Sequence, residues 1–320
     1  AHSPSAVCTP TRYGLLTGRY AWRTWLKRGV IGGYTPPLIE PARPTLASVL
    51  KAAGYRTGFL GKWHLGLGWT RANGLVPTFA DGERLFRGSW QDADPSTGLN
   101  VDFTKPVHGG PTALGFDEAF FTAACSTIDG PFTFIENDRV TALPTEDGDF
   151  EMMPGKPGRT RHGPRAPEFE AMNVLPRLTE KAVEYISQRA DAAKQGRPFF
   201  LYLPLNAPHT PTLPTPEWQG KSGLNAYGDF VMQTDATVGR VLEALDQLGL
   251  TDNTLVFFTS DNGCSPQADF EALAKGGHHP SHRFRGHKAD IFDGGHRIPF
   301  LVRWPGKVQA GTTCDQLICL

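Results

Sequence analysis

Near its beginning the chain carries Cys8-Thr9-Pro10-Thr11-Arg12-Tyr13-Gly14-Leu15-Leu16-Thr17-Gly18-Arg19, and the other motifs are interpreted from this stretch. A proline is well tolerated in the first turn of a helix, so the segment after Pro10 is predicted to be helical. Residues four apart in a helix share a face, which would place the fixed charge of Arg12 one turn beyond Cys8 and on its side. An isolated cysteine or arginine is usually a buried thiol or a surface charge, so the evidence for a chemical role lies in the whole string.

The stretch resembles the sulfatase signature, in which a cysteine opens Cys-x-Pro-Ser/Thr-Arg and the run closes with Leu/Met-Thr-Gly-Arg. Every fixed position of that pattern is met. The resemblance implies that a formylglycine-generating enzyme oxidises Cys8 to formylglycine, an aldehyde that hydrates to a geminal diol. One hydroxyl would attack sulfur and expel the alcohol, and the second would release sulfate and regenerate the aldehyde. Arg12 would hold the diol.

The composition is that of an ordinary globular protein with enough chain for a sizeable core. The chain has 320 residues, a formal net charge of zero, 20% charged residues and 39% hydrophobic residues. A neutral balance gives no reason to expect nucleic acid or an acidic membrane as partner. No apolar run reaches the roughly 18 residues that a membrane-spanning helix needs.

The five cysteines are scattered, without a CxxC pair or a regular framework: Cys8, Cys125, Cys264, Cys314 and Cys319. Disulfides can be neither inferred nor excluded from this spacing. With Cys8 assigned to the modification, the other four are predicted to be buried free thiols.

A second motif follows the β-prone run from Tyr55 to Leu60. On an extended segment, the side chains of Lys62 and His64 share one face and can both reach one anion. The string Gly-Tyr-Arg-Thr-Gly-Phe-Leu-Gly-Lys-Trp-His, which ends at His64, matches the second sulfatase signature. The resemblance implies that Lys62 withdraws charge from the sulfuryl oxygens and that His64 takes the proton from the second hydroxyl.

His209 follows the apolar run Phe199-Phe200-Leu201-Tyr202-Leu203, which is typical of a strand buried on both faces. Asn206-Ala207-Pro208-His209 again resembles the sulfatase family, where this histidine meets the leaving-group side of the ester. A lysine at the position of Lys288 binds the sulfate in that family, ahead of the Asp293-Gly294-Gly295-His296-Arg297-Ile298-Pro299 string. The resemblance therefore implies that His209 and Lys288 together assist the departing alcohol as general acid.

Asp261 and Asn262 end another predicted buried strand, Thr254-Leu255-Val256-Phe257-Phe258-Thr259. Asp-Asn-Gly alone is a common turn, but the resemblance implies half of a divalent cation site. A carboxylate and an amide carbonyl are hard oxygen ligands, which suit Ca²⁺ or Mg²⁺ rather than zinc. The cluster His278, His279 and His282 invites a zinc site, but no cysteine or carboxylate completes it, so a flexible rim near the substrate is the better interpretation.

Helical periodicity predicts three helices between these strands. One begins after Thr45 as N-cap, with Leu46, Val49, Leu50 and Ala53 as its packing face. Another covers Leu178 to Arg189 with Thr179 as cap, and the longest covers 226–248 with Val231, Thr234, Val238, Val241, Leu242, Leu245 and Leu248 facing inward. Alternating strands and helices predict an α/β fold with a mixed, largely parallel sheet sandwiched between helices.

The resemblance implies an alkaline-phosphatase-like sulfatase fold. Residues 1–320 are then expected to form a single incomplete catalytic domain that lacks the N-terminal strand, with its further pair of metal-binding aspartates, and the C-terminal subdomain. The chain alone is accordingly expected to bind metal weakly and to be inactive. Loops 67–172 and 270–287 are expected to shape the substrate pocket.

The expected function is hydrolysis of an aryl or carbohydrate sulfate monoester, with a sulfated small molecule or glycan as substrate. Two alternatives stay open at this point: a phosphonate or phosphate ester hydrolase of the same superfamily, and a non-catalytic carbohydrate-binding relic. The compartment cannot be determined from the residues, and the resemblance favours the periplasm, the lysosome or secretion.

Overall fold

The computed structural model describes residues 1–86, 100–125 and 127–320. Its α-helices are α1 Cys8–Thr17, α2 Leu46–Ala52, α3 Gly82–Leu85, α4 Val174–Lys194, α5 Ala226–Gln247, α6 Phe270–Lys275 and α7 Asp293–His296. Its strands are β1 Arg56–Lys62, β2 Gly68–Trp69, β3 Val107–His108, β4 Glu118–Thr122, β5 Ile135–Glu136, β6 Arg139–Val140, β7 Glu146–Gly148, β8 Gly163–Arg165, β9 Phe199–Tyr202, β10 Val256–Thr259 and β11 Phe300–Arg303.

The central sheet has five strands in the order β6-β5-β4-β1-β9. Strand β1 runs parallel to β4 on one side and to β9 on the other, while β5 and β6 continue the sheet as antiparallel strands. The predicted α/β class, with a mixed and largely parallel sheet, is therefore confirmed. Because parallel strands share a direction, the carboxyl ends of β1, β4 and β9 meet at one edge, where open α/β sheets place their ligands.

Alternation along the strands places one core on each face of the sheet. Phe59 and Phe121 lie on the face packed against Tyr13 of α1, and Leu60 and Phe120 lie on the face packed against α4. The α4 helix approaches β1 closely, because Gly58 lacks a side chain: a Cβ there would lie 2.5 Å from the ring of Tyr185. The sheet thus lies between helical layers, as predicted.

The helices begin and end close to the predicted positions, but their buried faces differ. Thr45 caps α2 through a capping box with Ser48, as predicted, yet Ala47 is the buried residue while Leu46 and Val49 are 39% and 58% exposed. Thr179 lies inside α4 and donates its hydroxyl hydrogen bond to the carbonyl of Leu175, so it is not a cap. Apolar periodicity alone could not identify the buried face, because the packing partners come from distant parts of the chain.

The inward face of α5 agrees with the prediction in its second half, where Leu245 is buried and Val241, Leu242 and Leu248 pack against a core cluster, and differs in its first half. Val231 is exposed, and the buried residues are Asp229, Phe230, Gln233, Thr237, Ala244 and Leu245. Buried Asp229 accepts hydrogen bonds from the backbone of Gly220 and Ser222, which explains why a charged residue faces inward. Within the described ranges, no helix is both long and apolar enough to cross a bilayer.

One strand predicted to be buried on both faces, β9, and another predicted to be buried, β10, are more exposed than expected. In the described residues β9 is the edge strand of the central sheet, and its residues are half-buried. Strand β10 pairs with β11 in a separate two-stranded sheet, and Phe257 and Phe258 are both exposed although they point to opposite faces. The predicted strands form, but the hydrophobic runs do not reveal which surfaces cover them.

Candidate active site

The carboxyl end of β1 brings Lys62 and His64 into the interior. A side chain at Gly61 is excluded, because φ is 146° and a Cβ would lie 2.1 Å from the carbonyl oxygen of Pro204. The backbone N–H of Lys62 bonds to that same carbonyl at 2.7 Å, and His64 adopts the left-handed conformation with φ of 56°. The two side chains therefore converge through a turn, which corrects the prediction of an extended segment.

The hydrogen bonds of His64 fix its tautomer. Its Nε2 lies 2.7 Å from the carbonyl oxygen of Ile31, which can only accept, so Nε2 carries the proton. Its Nδ1 is buried and has no hydrogen-bond partner in the described residues. The hydroxyl of Thr9 donates to the His64 carbonyl at 3.1 Å and ties this loop to α1. Burial lowers the pKa of His64, so the imidazole is neutral with a free lone pair on Nδ1.

Cys8 is the first residue of α1 and is buried. The predicted helix after Pro10 is present and ends at Gly18, which adopts the left-handed conformation common at helix ends. The N-terminal end of a helix carries a partial positive charge that stabilises anionic groups. Cys8 therefore lies where a nucleophile or an oxyanion is favoured.

Cys125 lies directly beside Cys8, although no sequence motif identifies it as a site residue. The two Sγ atoms are 4.0 Å apart, and Lys62 Nζ lies 3.6 Å from Cys125 Sγ. The carboxylate of Asp129 accepts hydrogen bonds from the backbone of Cys125 and Gly33, which holds the turn after β4. A hydrogen bond from Cys8, helped by the charge of Lys62, outweighs burial and lowers the pKa of Cys125 to about 6. The signal available in the sequence was that Cys125 closely follows β4, whose carboxyl end lies at the same edge of the sheet as that of β1.

His209 reaches the same centre from the loop after β9. Its Nδ1 lies 2.6 Å from the Thr210 carbonyl oxygen, so Nδ1 carries the proton and Nε2 faces Cys125 Sγ at 3.6 Å. Burial, together with the charges of Lys288 and Lys62, lowers the pKa of His209 well below its ordinary value. A neutral imidazole with an unprotonated Nε2 is an acceptor in this arrangement, and the predicted part of His209 as a proton donor stays a prediction.

Arg12 and Asp261 form a partly buried ion pair. Arg12 Nε and an NH2 nitrogen lie 2.9 and 2.7 Å from Asp261 Oδ2, and a third nitrogen donates to the Lys62 carbonyl at 3.0 Å. Burial would raise the pKa of Asp261, but Arg12, Lys62 and Lys288 hold it well below the usual range. The described side-chain hydrogen bonds of Arg12 therefore go to Asp261 and to the Lys62 carbonyl. They orient Asp261, and none of them reaches the side chain at position 8.

The residues predicted to bind a cation fit that chemistry. Asn262 Oδ1 is buried without a hydrogen-bond partner in the described residues, while its amide nitrogen donates to the Gly263 carbonyl. Arg12 uses Oδ2 of Asp261 for both contacts. An ionised carboxylate and an orphaned amide oxygen on adjacent residues are hard ligands of the kind that Ca²⁺ takes.

Lys288 lies in a loop that is hydrogen-bonded to the turn containing Asp261. Its backbone N–H bonds to the Cys264 carbonyl at 2.9 Å, and Gly263 bonds to Gly295, which holds the Lys288 loop against the Asp261 turn. Burial would lower the pKa of Lys288, but Cys8, Cys125 and Asp261 raise it above its ordinary value. Lys288 is therefore protonated, and its charge interacts with Cys8, Cys125 and Asp261.

The remaining cysteines and histidines give mixed outcomes. All five cysteines are free, but Cys314 and Cys319 are exposed, so the prediction that both are buried is wrong. They lie in the extended terminal segment, where little chain surrounds them. Cys125 and Cys264 are partly buried. His278, His279 and His282 are exposed, and their interpretation as a rim near the substrate stays a prediction.

Comparisons with known proteins find similar sequences along almost the whole chain. The Sulfatase family model matches residues 1–318. An N-acetylgalactosamine-6-O-sulfatase of Bacteroides thetaiotaomicron is 35% identical over 97% of this chain and 60% of its own length, and human arylsulfatase A is 32% identical over 97% of this chain and 52% of its own. The chain thus spans about half to three-fifths of the length of these curated relatives.

Solved structures show the same likeness in the fold. A structure from work on the metabolism of multiple glycosaminoglycans by Bacteroides thetaiotaomicron superposes with a TM-score of 0.74 at 32% identity, over 96% of this chain and 64% of that one. The PsFucS1 sulfatase from Pseudoalteromonas sp. shares the fold at 22% identity, with a TM-score of 0.65 over 99% of this chain and 56% of that one. The family match over nearly every residue, together with these relatives, establishes that the chain belongs to the sulfatase family.

Proposed function

We propose that the complete protein hydrolyses sulfate monoesters with a formylglycine formed from Cys8. The observation that carries this proposal is the convergence of separate strand ends on Cys8. Lys62 and His209 each lie 3.6 Å from Cys125, whose sulfur is 4.0 Å from that of Cys8. When present, formylglycine supplies a hydrated aldehyde whose hydroxyl is the nucleophile.

The cationic side chains suit a tetrahedral anion. Lys62 and the protonated Lys288 lie around the same centre as Cys8. Backbone hydrogen bonds fix the main chain at both residues. Preorganised charge of this kind is usually the largest catalytic contribution, because it costs no reorganisation when negative charge develops. Lys62 and Lys288 would withdraw charge from the sulfuryl oxygens.

His64 is the proposed base. Because Nε2 donates to Ile31, the free lone pair of Nδ1 is the atom able to take a proton from a hydroxyl at position 8. Its lowered pKa keeps the imidazole unprotonated at neutral pH. Thr9 contributes by positioning the backbone of His64.

Lys288 is the proposed proton donor to the departing alcohol. Its pKa is raised, whereas the pKa of His209 is lowered and its Nε2 lacks a proton. His209 would line the leaving-group side and help to position the ester. This division of work assigns the general acid to Lys288 alone, where the resemblance assigned it to both.

Asp261 and Asn262 would hold a divalent cation, Ca²⁺ or Mg²⁺. A bound cation would add positive charge near the sulfuryl oxygens. Arg12 keeps Asp261 ionised and oriented for this purpose. Ca²⁺ takes about 6 to 8 oxygen ligands, and these two residues supply only part of that number. We therefore also propose that residues 1–320 alone bind the cation weakly and turn over substrate poorly.

The proposed substrate is a sulfated glycan. The relatives include N-acetylgalactosamine-6-sulfatases from bacteria and mammals as well as arylsulfatase A, and a cationic pocket beside exposed loops suits a sugar sulfate. A sulfated small molecule remains the simpler assay substrate.

The test uses the protein expressed from its complete reading frame, together with a formylglycine-generating enzyme. Peptide mass spectrometry would establish the conversion of Cys8, and turnover would be compared for 4-nitrophenyl sulfate, 6-sulfated N-acetylgalactosamine and bis(4-nitrophenyl) phosphate. We expect sulfate release that Cys8→Ala abolishes and the matched variant Cys264→Ser retains. Faster cleavage of the phosphate diester would instead identify a phosphate ester hydrolase, and Cys8 left entirely unmodified after expression with the maturing enzyme would favour a non-catalytic carbohydrate-binding relic.

A further inference from the structure

The site contains a cluster of soft donor atoms that sulfate hydrolysis does not use. Cys8 Sγ, Cys125 Sγ and a ring nitrogen of His64 all lie within 4.8 Å of one another. Two thiolates on one tetrahedral zinc ion, with Zn–S bonds of about 2.3 Å, stand about 3.8 Å apart. The observed 4.0 Å between the two sulfurs is close to that spacing.

The tautomers of two histidines turn lone pairs toward this cluster. The Nδ1 atom of His64 is fully buried and unpartnered in the described residues, because Nε2 is committed to Ile31. His209 commits Nδ1 to Thr210 and presents Nε2 to Cys125 Sγ at 3.6 Å. Two sulfurs and the His64 lone pair therefore lie together with at most two thiol protons among them, and His209 Nε2 adjoins Cys125 from outside this group of three. Cys8, Cys125 and His64 supply three ligands of a Cys₂His₂ site, and a small movement of His209 would supply the fourth.

We propose that the chain, while Cys8 is still a thiol, binds a thiophilic divalent cation such as Zn²⁺ through Cys8, Cys125 and His64, with His209 as the fourth ligand. Binding would displace the protons of both thiols to solvent and leave the two thiolates balanced by the ion. Lys62, 3.6 Å from Cys125 Sγ, supports the thiolate form. Cys125 and His209 are only partly buried, so the ion can enter from their side.

This site is separate from the oxygen ligands Asp261 and Asn262 and selects a different class of metal. It does not depend on sulfate hydrolysis, because it requires the thiol rather than the aldehyde at position 8. Conversion of Cys8 removes one of the two sulfur ligands. Zinc is therefore expected to bind the unconverted chain and not the converted one.

The test is a Co²⁺ titration of the complete protein, produced without a formylglycine-generating enzyme, reduced and freed of metal. Cobalt bound by thiolates gives a sulfur-to-metal charge-transfer absorption, which oxygen ligands do not give. We expect one Co²⁺ per chain with this absorption, its displacement by Zn²⁺, and no displacement by excess Ca²⁺. Cys125→Ser should weaken binding by about tenfold or more and remove about half of the charge-transfer intensity, since one of two sulfurs is lost.

Controls separate this site from other thiols and from unfolding. Cys264→Ser, which changes another partly buried free thiol, should leave the titration unchanged. Circular dichroism of each variant checks the fold, and the converted wild-type protein, which lacks the Cys8 thiol without any mutation, should lose the tight site. Absence of charge-transfer absorption, equal absorption in Cys125→Ser, or a Cys8–Cys125 disulfide that persists under reduction would each overturn the proposal.

Discussion

Arg12 couples the first motif to the last third of the chain through Asp261. Replacing Arg12 with Ala would leave the partly buried carboxylate without its principal partner, with an expected loss of about 1 to 3 kcal/mol in the free energy of unfolding at pH 7. Because Arg12 holds the folded-state pKa of Asp261 below its ordinary value of about 3.9, this contribution is complete above that value and disappears as the pH falls through the lower folded-state pKa.

Urea unfolding of wild type and Arg12→Ala at neutral pH and at progressively lower pH would measure this dependence. The difference between the two proteins should shrink below pH of about 4. Lys275→Ala is the control, since its pair with Glu271 is exposed and such pairs contribute about 0.3 to 0.5 kcal/mol. An equal loss at every pH would contradict the ion-pair explanation.

Lys288 and His209 can be distinguished by the leaving group. A sugar alcohol needs a proton as it departs, whereas 4-nitrophenolate hardly does. Lys288→Ala removes both the positive charge and the proton donor, so it should slow hydrolysis of a sugar sulfate by about 100-fold or more, whereas 4-nitrophenyl sulfate loses only the benefit of the charge and should slow less. His209→Ala should affect both substrates similarly, because a neutral imidazole contributes orientation.

The measurement is kcat/KM for both substrates with the complete, converted protein. Lys288→Arg is the matched variant: it keeps the positive charge but is a much weaker acid, so it should restore 4-nitrophenyl sulfate turnover more than sugar sulfate turnover. Leaving-group selectivity in His209→Ala, with none in Lys288→Ala, would reverse the assignment.

At the scale of an element, the exit of β1 is set by Gly61. Gly61→Ala combines an unfavourable positive φ with a Cβ placed 2.1 Å from the Pro204 carbonyl oxygen, and it should destabilise the protein by about 2 to 5 kcal/mol. Gly54→Ala is the control. Gly54 also has a positive φ, of 89°, but open space around the new Cβ, so only about 1 to 2 kcal/mol of strain is expected.

Thermal or urea unfolding gives both values, and turnover gives a second measurement. Since Gly61 directly precedes Lys62, Gly61→Ala should lose activity even where it remains folded, while Gly54→Ala should retain it. Equal destabilisation by the two substitutions would mean that the backbone of Pro204 moves aside readily.

The sequence predicted the elements better than their surroundings. The string around Lys62 and His64 identified a strand leading into a cationic loop, and β1 ends at that point. It could not show that His64 turns left-handed, because that conformation is imposed by contacts with Thr9 and Ile31. Cys125 was missed for a similar reason: its place in the site depends on the register of β4 against β1, which no local motif records.

Burial was the property least accessible from local patterns. The hydrophobic runs of β9 and β10 predicted strands correctly but overstated their burial, and the apolar stripe of α2 leaves Leu46 and Val49 exposed. A hydrophobic run shows that a segment can be buried. Which surface covers it is decided by residues far away in the chain.

Across the whole molecule, the candidate site draws on segments that are distant in sequence. Cys8 comes from the first helix, Cys125 and His209 from the ends of β4 and β9, and Lys288 from a loop that bonds to Cys264. No single segment contains the site. Its geometry therefore depends on the central sheet and on the contact between the Asp261 turn and the Lys288 loop.

The sheet formed by β10 and β11 exposes apolar side chains on both of its faces. Phe257 pairs with Val302 on one face and Phe258 with Leu301 on the other, and Phe257 and Leu301 are 57% and 60% exposed. Exposed apolar patches on both faces of a sheet favour association. We expect residues 1–320, produced alone, to self-associate, and Phe257→Thr with Leu301→Thr to shift the protein toward monomer because threonine keeps β propensity while removing apolar area.

Size-exclusion chromatography with light scattering over a range of protein concentrations would measure this shift. The matched control is Leu46→Thr with Val49→Thr, which removes exposed apolar area from α2, away from that sheet. If the control reduces association as much as the sheet variant, or if the unmodified chain is monomeric throughout, the exposed sheet does not drive association.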